Sequence, residues 1–436
     1  MSDGWLKTTV GEYSPFVYGK AIKKDDQRTM GIPVYGSNGI YTYSDSALVQ
    51  QHAVIIGRKG SVGKVHLSTE KCWISDTAFY VIKDSLDESY FVYYLLSSLG
   101  LENMNTDAAV PGLNRDNAHR LEIKIPNSIE KRTNLVEPLI KLDQKIHLNN
   151  QINQTLESIA QAIFKSWFID FDPVRAKIAA KQEGKDSELA AMCVISGKSE
   201  AELKKMPEDD FAELQATAAL FPDELVETEL GEVPRGWDAK ALGNFLEIKR
   251  GGSPRPIQNF MSPTGYPWVK IADATADPSP FLFKTKEFII EEGLKKTVYL
   301  KKGSLILTNS ATPGLPKFLE LDACIHDGWL YFPQKKHFSD SYLYFLFLKI
   351  RSQLVAQGNG SVFTNLKTDI LRNQVILVPT QEVIEKFDLQ AFKILEAMRI
   401  QCIQSSSLCN LRDALLPKLL SGEVDVSGLQ GEVAIT

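Results

Sequence analysis

Two stretches of this chain place apolar residues at alternating intervals of four and three residues. The first runs from Leu135 to Trp167 and the second from Phe387 to Leu419, displaced by 252 residues. A repeat of about 3.5 residues is the period that lets paired helices bury one continuous seam in a coiled coil. We therefore predict two long helices that pair and dock partner subunits through Leu135, Leu139, Leu142, Ile146, Asn149, Asn153, Leu156, Ile163, Trp167 and Phe168, and through Phe387, Ile394, Met398, Gln401, Leu408, Leu415 and Leu419.

Both seams turn polar at their midpoints, at Asn149 and Asn153 in the first and at Gln401 and Ser405 in the second. If the two helices pair antiparallel, these polar residues meet. A buried polar layer can fix the register of a helix pair at some cost in stability. The alternative is that each helix packs only on the domain before it. Pro417 is expected to bend or end the second helix, because proline lacks the backbone donor.

The sequence before each long helix alternates between short apolar runs and turn residues. Runs such as AVIIG, AFYVI, SLILT and WLYFP are separated by Gly, Asn, Ser and Pro, which is typical of twisted sheets with irregular loops. A segment rich in aromatic residues at helical spacing follows in each part, beginning at Glu88 and at Asp340. We predict a core-facing helix in each segment and a mixed α/β module around it.

The chain also contains two pairs of similar segments that occur in the same order in each half. GWLKTTVGEY from Gly4 is similar to GWDAKALGNF from Gly236, and VPGLNRDNAHRLEIKIP from Val110 is similar to FTNLKTDILRNQVILVP from Phe363. The predicted fold class is α+β, with two repeated mixed α/β modules separated by two long helices that form an antiparallel coiled coil. The predicted domains are module 1 (1–127), a central helix (128–170), an acidic helical linker (171–235), module 2 (236–380), a distal helix (381–422) and a tail (423–436).

Length and cysteine usage narrow the class of protein. A chain of 436 residues is long enough for two or three domains. Its apolar runs are far shorter than the roughly 20 residues that cross a bilayer. The five cysteines are scattered and never spaced C-x-x-C, so we expect reduced thiols, no disulfide framework and no zinc site. No secretion signal opens the chain, and we expect a cytoplasmic protein without a membrane partner.

The net charge of −5 conceals an uneven distribution. Residues 171–235 hold eight Lys and Arg against fifteen Asp and Glu, whereas residues 236–379 hold eighteen against twelve. Binding to nucleic acid depends on a local basic surface rather than on the total charge. The acidic total therefore does not exclude nucleic acid as a partner of the modules.

The helical segments carry a resemblance to a known family. NNQINQTLESIAQAIFKSWFIDFDPV from Asn149 and LRDALLPKLLSGEVDV from Leu411 resemble the central and distal helical regions of specificity subunits of type I restriction–modification systems. GIPVYGSNGI from Gly31, GRKGSVG from Gly57 and VPRGW from Val233 resemble the target-recognition domains of that family. The resemblance covers nearly the whole chain and is most specific in the helices.

The resemblance implies a function for this architecture. In that family, two target-recognition domains each read one half of a bipartite site in double-stranded DNA, and the helices set the spacer between the halves. Methyltransferase subunits, expected here to number two, dock on the helices and hold S-adenosylmethionine, and a motor–nuclease subunit joins them. The chain itself is then expected to be non-catalytic, to bind no cofactor and to serve DNA methylation and phage defence.

Candidate DNA contacts lie where cations and small polar residues share glycine-rich loops, because glycine lets the backbone approach phosphate and arginine reads guanine. For the cluster between Tyr18 and Arg28, a solvated loop explains the charges about as well. In module 1 the candidates are Lys20, Lys23, Lys24, Arg28, Ser37, Asn38, Arg58, Lys59, Ser61 and Lys64. In module 2 they are Lys249, Arg250, Ser253, Arg255, Lys270, Asn309, Ser310 and Thr312.

Two segments are similar to catalytic motifs but lack residues that those motifs require. GRKGSVGK lacks the first glycine of a phosphate-binding loop, where Arg58 stands, and its final Ser or Thr, where Val65 stands. DPSPF from Asp277 places Ser279 between the prolines that an adenine methyltransferase loop needs adjacent. Two alternatives remain open: a coiled-coil assembly scaffold whose modules bind a protein, and an enzyme with an unrecognised site in a module cleft.

Overall fold

The computed structural model describes residues 4–104, 112–228, 231–357 and 366–424. These residues form two units, one drawn from 1–148 and 404–436 and the other from 149–403. Each unit therefore contains one predicted module and part of both long helices. Two parts of the predictions lie outside the described residues. One is the beginning of the second pair of similar segments, at Val110 and at Phe363, and the other is the tail from residue 425 onward.

Module 1 is built from two four-stranded sheets and an antiparallel strand pair that closes it. The sheets have the strand orders β2-β9-β6-β7 and β3-β5-β4-β8, and β1 pairs with β10. The elements are β1 (Trp5–Thr9), α1 (Val10–Tyr13), β2 (Val17–Tyr18), β3 (Gln27–Arg28), β4 (Ile32–Gly36), β5 (Gly39–Ser44), β6 (Ala53–Gly57), β7 (Val65–Ser68), β8 (Trp73–Ile74), β9 (Ala78–Val81), α2 (Leu86–Ser98), α3 (Arg115–His119) and β10 (Glu122–Pro126).

Local sequence explains the central elements of this module. β6 is buried along its whole length, as expected for an uninterrupted apolar run between two neighbouring strands. α2 begins after Ser85, whose side chain accepts the backbone N–H of Glu88 at 3.2 Å and so satisfies one of the free donors of the first turn. The aromatic face of α2 packs into the core, as the sequence predicts.

The long helix α4 (Ile129–Phe168) follows, and then a linker of short helices. The linker consists of α5 (Asp172–Gln182), α6 (Ser187–Ser196), α7 (Glu200–Leu203) and α8 (Glu208–Ala219), followed by the hairpin β11 (Leu225–Thr228) and β12 (Gly231–Pro234). The helices bury a small core of their own around Met192 and Leu203. Ser199 and Glu202 form a capping box at the start of α7.

Module 2 has two five-stranded sheets, ordered β14-β23-β20-β21-β17 and β15-β18-β16-β22-β19, and β13 pairs with β24. Its elements are β13 (Asp238–Ala241), β14 (Lys249–Arg250), β15 (Met261–Ser262), β16 (Tyr266–Val269), α9 (Ile271–Ala276), β17 (Phe281–Leu282), β18 (Glu287–Ile289), β19 (Val298–Leu300), β20 (Leu305–Thr308), β21 (Pro316–Leu319), β22 (Ala323–Ile325), β23 (Trp329–Tyr331), α10 (Asp340–Gln357), α11 (Thr368–Asn373) and β24 (Val375–Val378). The long helix α12 (Gln381–Leu420) follows.

The two modules share one topology. In both, a parallel strand pair (β4 with β8, β16 with β22) stands in one sheet, and an antiparallel series (β2-β9-β6-β7, β14-β23-β20-β21) forms the other. Each module is closed by an antiparallel pairing of its first and last strands, with Trp5 opposite Pro126 and Asp238 opposite Val378. The predicted repeat of a mixed α/β module is thus confirmed.

In the first unit, α4 and α12 run antiparallel. Arg412 of α12 donates to Asp143 of α4 at 2.7 Å, and Leu135 and Leu139 share a core with Leu419. Module 1 is bonded to the same helix, because Arg132 of α4 forms a buried ion pair with Glu88 at 2.8 Å. Pro417 lies inside α12, which ends three residues later, close to the predicted position.

In the second unit the helices again run antiparallel. Asn153 donates to the thiol sulfur of Cys402 at 3.2 Å, and the ring of Phe164 lies 5.6 Å from that of Phe387. The hydroxyl of Tyr344 in α10 donates to Glu157 of α4 at 3.0 Å, which joins module 2 to the helix.

None of the twenty seam positions is exposed, from Leu135 to Trp167 in α4 and from Phe387 to Leu419 in α12. Together with the contacts between α4 and α12 in both units, this burial confirms the predicted pairing of the helices.

Candidate nucleic-acid interface

The loop after β6 in module 1 is held by backbone hydrogen bonds on three sides. The N–H of Arg58 donates to the carbonyl of Thr77 at 2.9 Å, and the N–H of Leu113 donates to the carbonyl of Arg58 at 2.8 Å. The N–H of Gly63 closes the loop on the carbonyl of Gly57 at 2.8 Å. The main chain at Arg58 is therefore fixed by its neighbours and not by its own side chain.

The loop after β20 in module 2 has the same three hydrogen bonds. The N–H of Asn309 donates to Gly328 at 2.8 Å, that of Leu366 donates to Asn309 at 2.7 Å, and that of Gly314 donates to Thr308 at 2.8 Å. Asn309 of module 2 thus occupies the place of Arg58 of module 1. The two modules present different side chains from one backbone frame.

A second equivalent pair lies on the strands beside these loops. The N–H of Gly19 donates to Ala78 at 3.1 Å, and that of Gly251 donates to Trp329 at 2.9 Å. A Cβ at either glycine would lie within 2.2 Å of a carbonyl oxygen of the neighbouring turn, so both positions require glycine. The residues before them, Tyr18 and Arg250, are therefore equivalent as well.

Arg58 lies in a cleft of about 380 Å³ in module 1. Its guanidinium carbon is 5.3 Å from the centre of the Tyr18 ring and 6.0 Å from that of Phe79, and the Arg115 guanidinium is 5.2 Å from the same Tyr18 ring. These are distances at which a cation is attracted to the face of an aromatic ring. Lys59 lines the same cleft, so this part of the module concentrates positive charge in a concave surface.

A second group of predicted residues meets beside that loop. Lys64 donates to the side-chain oxygen of Asn38 at 2.6 Å, and Ser61 donates to the same oxygen at 3.3 Å. Ser37 lies in the same β4–β5 turn, and its hydroxyl is 3.5 Å from where a Cβ at Gly60 would stand. The structure therefore brings together Ser37, Asn38, Ser61 and Lys64, which are separate in the sequence.

The remaining candidates of module 1 are arranged differently. Arg28 forms an ion pair with Asp45 at 2.8 Å and donates to the carbonyl of Asp25 at 2.7 Å. Lys23 and Lys24 are exposed on the loop before β3, and Lys20 is exposed next to Gly19. Arg28 is thus engaged within the protein, whereas the three lysines present their charges to solvent.

Four predicted residues of module 2 converge on Asp327, in the turn between β22 and β23. Arg250 donates to its carbonyl at 2.6 Å and Asn309 at 3.1 Å, Ser253 donates to its carboxylate at 2.6 Å, and Arg255 lies 3.6 Å from that carboxylate. The hydrogen bond from Ser253 is the main cause that lowers the pKa of Asp327. Asp327 therefore stays ionised and orients the basic loop.

The other candidates of module 2 divide by exposure. Asn309 is only 1% exposed, so its side chain braces the turn instead of pointing to solvent. Ser310 and Thr312 are half-buried in the loop that follows. Lys249 is paired with Glu247 at 2.8 Å, and Lys270 is paired with Glu287 at 2.5 Å. Arg250 and Arg255 are the cations of this loop that Asp327 orients.

Sequence reasoning missed the aspartate and the aromatic ring on which these clusters depend. Asp327 has a counterpart in Asp76, because ISDTAFY from Ile74 and IHDGWLY from Ile325 occupy the same strands and turn of the two modules. This shared I-x-D pattern was the available signal. Tyr18 and Arg115 carried no such signal, since only the fold brings them next to Arg58.

The described ranges contain neither a metal-binding cluster nor a membrane-spanning helix. Within residues 4–104, 112–228, 231–357 and 366–424, no group of His, Cys, Asp or Glu is arranged to hold a metal ion. No helix in those ranges is long and apolar enough to cross a bilayer.

Two modules of one fold, each with oriented cations and each bonded to a pair of antiparallel helices, define a protein with two recognition domains. The family model for the type I restriction modification DNA specificity domain matches residues 2–158 and 234–405. The chain belongs to this family of specificity subunits. The part between the two matches includes the linker helices α5 to α8.

Two relatives agree with this assignment, and a solved structure shares the fold. The chain is 34% identical over 340 residues to the specificity subunit of the type I restriction enzyme HindI of Haemophilus influenzae, covering 72% of this chain and 71% of that one. It is 24% identical over 357 residues to the MjaIX specificity subunit of Methanocaldococcus jannaschii, covering 78% and 70%. The S subunit from M. genitalium has a similar fold, with a TM-score of 0.52 and 13% identity over 96% of this chain and 97% of that one.

Proposed function

We propose that the chain is the DNA-recognition subunit of a type I restriction–modification enzyme and that each module reads one half of a bipartite site. The observation that carries this proposal is the pair of equivalent positions in the two modules. One backbone frame carries Arg58 and Tyr18 in module 1 but Asn309 and Arg250 in module 2, and of these only Asn309 is turned inward. A constant frame with different side chains is what two readers of different sequences require.

The proposal is tested with the basic loop of module 2. We expect the triple variant Lys249→Ala, Arg250→Ala and Arg255→Ala, in complex with the methyltransferase partner, to bind duplex DNA at least tenfold more weakly. A lost phosphate contact lowers affinity for all sequences and reduces the salt slope by about one, whereas a lost base contact costs about 1–3 kcal/mol at one position. Fluorescence anisotropy over a range of salt concentrations measures both.

The matched control is Lys240→Ala, which removes one charge from β13, a strand outside the sheet that carries Arg250. Lys240 is paired with Asp238 at 2.7 Å, and its loss should leave DNA affinity unchanged. If the triple variant binds as tightly as the native complex, this loop is not part of the interface. If the native complex does not bind DNA at all, the modules have another ligand, such as a protein.

We further propose that partner methyltransferase subunits dock on the outer face of the helices. The seam residues of α4 and α12 are buried or half-buried in the helix pair, so a partner subunit would have to bind a different face of these helices. Leu389, Phe392, Ile400 and Ile403 of α12 are exposed, Phe392 by 64%. At about 100° per residue they form one stripe on the side of α12 opposite Phe387 and Met398. An apolar stripe of this kind on a surface helix marks a contact with another protein.

The chain is proposed to be catalytically silent, with S-adenosylmethionine bound by the methyltransferase subunits, two per complex, and a motor–nuclease subunit completing the enzyme. The support is the interrupted motifs around Arg58 and Ser279. We expect the purified chain alone to transfer no tritiated methyl group from S-adenosylmethionine to DNA, while the complex with its methyltransferase does. Methyl transfer by the chain alone at a rate comparable to that of the complex would contradict this proposal.

A further inference from the structure

The cleft of module 1 contains an arginine that aromatic rings orient and that no described carboxylate neutralises. Among the described residues, the Arg58 guanidinium forms no ion pair and no hydrogen bond. Its position is set by the rings of Tyr18 and Phe79. The other predicted arginine of this module, Arg28, is paired with Asp45 at 2.8 Å, and Arg115 of the same cleft is paired with Asp116 at 3.4 Å. Among the described residues, Arg58 is thus the predicted arginine of module 1 whose side-chain donors are not engaged.

From this geometry we infer that Arg58 reads a guanine in the half-site of module 1. The inference rests on the proposed function, and it adds the base and the residue that recognises it. A guanidinium presents its donors as a planar fork, which matches the O6 and N7 acceptors of guanine in the major groove.

Orientation favours a base over a phosphate as the partner of Arg58. The main chain at Arg58 is bonded on both sides, by Thr77 and Leu113, and the ring contacts restrict the side chain. A side chain that is ordered before binding loses less conformational entropy in the complex. Discrimination between bases depends on such a fixed fork, whereas a phosphate contact is satisfied by a mobile cation. The exposed Lys59 at the next position can supply that contact.

The burial of Arg58 points the same way. The residue is half-buried in the cleft, whereas Lys59 is exposed. Because Arg58 is half-buried, its guanidinium has already lost part of its hydration before DNA binds. A hydrogen bond to a base is stronger in such a site, and it separates the correct base from the other bases more sharply. In module 2 the equivalent Asn309 is buried and bonded to Asp327, so the same reading is not open to it. The inference therefore concerns module 1 alone.

The test uses base analogues on the native complex. Methylation mapping first identifies the site, and duplexes are then made in which each guanine of the site is replaced in turn by 7-deazaguanine, which lacks the N7 acceptor. We expect one guanine in one half-site at which this replacement lowers the affinity of the native complex about tenfold. Inosine at the same position keeps O6 and N7 and should leave affinity nearly unchanged.

Variants of Arg58 connect that guanine to the residue. With Arg58→Ala, the same 7-deazaguanine replacement should cost no further affinity, because the donor to N7 is already absent. With Arg58→Lys the replacement should cost less than in the native complex, because an ammonium can reach N7 but presents no planar fork. Lysine keeps the charge, so Arg58→Lys should retain more non-specific binding than Arg58→Ala.

Three outcomes decide the inference. A guanine whose replacement effect disappears in Arg58→Ala supports it. If no guanine is sensitive, or if the sensitive guanine stays equally sensitive in Arg58→Ala, the inference is wrong while the proposed DNA recognition stands. If Arg58→Ala weakens binding to every sequence equally and no guanine couples to it, Arg58 contacts phosphate. Failure of the native complex to bind any duplex contradicts the proposed function itself.

Discussion

Exchanging residues 236–379 for the corresponding module of another specificity subunit should change one half of the methylated site and leave the other half intact. The structure supports this expectation because the first and last strands of module 2 lie next to each other. β13 and β24 pair antiparallel from Asp238 opposite Val378 to Ala241 opposite Val375. The exchange therefore cuts the chain at two adjacent points. Sequencing of methylated DNA from cells that express the exchanged protein measures the result.

The reciprocal exchange is the matched control. Module 1 is closed in the same way, with Trp5 opposite Pro126 on β1 and β10. Exchange of residues 4–126 should alter the half that the first exchange leaves intact. Each exchanged protein must first show a cooperative thermal transition, because the donor module has to pack on the long helices. A module 2 donor packs its own α10 against Phe164 and Phe387, and a module 1 donor must replace the contact of Glu88 with Arg132. If either exchange alters both halves, the modules do not read separately.

The helices and the repeat could be predicted from sequence because their signals are local and periodic. A spacing of four and three residues from Leu135 fixes which side of a helix is apolar, and every seam position proved to be buried or half-buried. The polar seam residue Asn153 was recognisable as well, and it bonds to Cys402 of the partner helix. Periodicity did not identify Cys402, since it lies one position beyond the seam residue Gln401.

The candidate interface could be predicted only in part. Glycine-rich loops with cations were visible, and the structure places Arg58 and Lys59 in a cleft. Whether a particular Lys or Arg side chain is free to contact DNA depends on its partners in the folded protein, and a single sequence does not reveal these. Arg28 is paired with Asp45, seventeen residues away, and Arg250 bonds to Asp327, seventy-seven residues away. Burial of Asn309 follows from the turn that covers it, and that turn is formed by a distant strand.

The last expectation concerns the spacer between the two half-sites, which we propose is set by the paired helices. Four residues inserted after Gln151, with four more after Ile403, should lengthen the spacer by nearly two base pairs. A helix rises about 1.5 Å per residue, so four residues add about 6 Å, against about 3.4 Å per base pair. The two insertion points face each other, because Asn153 is bonded to Cys402.

The rotation that the insertion introduces also suits DNA. Four residues advance a helix by about 400°, a net turn of roughly 40°, and two base pairs of B-DNA turn by roughly 70°. Four is also the insertion that a coiled coil accommodates by local unwinding. A mismatch of this size can be absorbed in DNA and protein, so methylation should persist with both half-sites unchanged and the spacer lengthened.

A four-residue insertion after Gly197, in the turn between α6 and α7, is the matched control and should leave the spacer unchanged. Gly197 has a φ of 66°, and nothing lies within 4 Å of the position of its missing Cβ, so this turn has room for extra residues. The site methylated by each protein is read by sequencing. If the protein with insertions in both α4 and α12 stays active and keeps the original spacer between half-sites, something other than the helices positions the modules. If instead the control insertion lengthens the spacer, the linker takes part in positioning them. Because Glu88 and Arg132 bond module 1 to α4, and Tyr344 and Glu157 bond module 2 to the same helix, the length of α4 is the quantity that the spacer should follow.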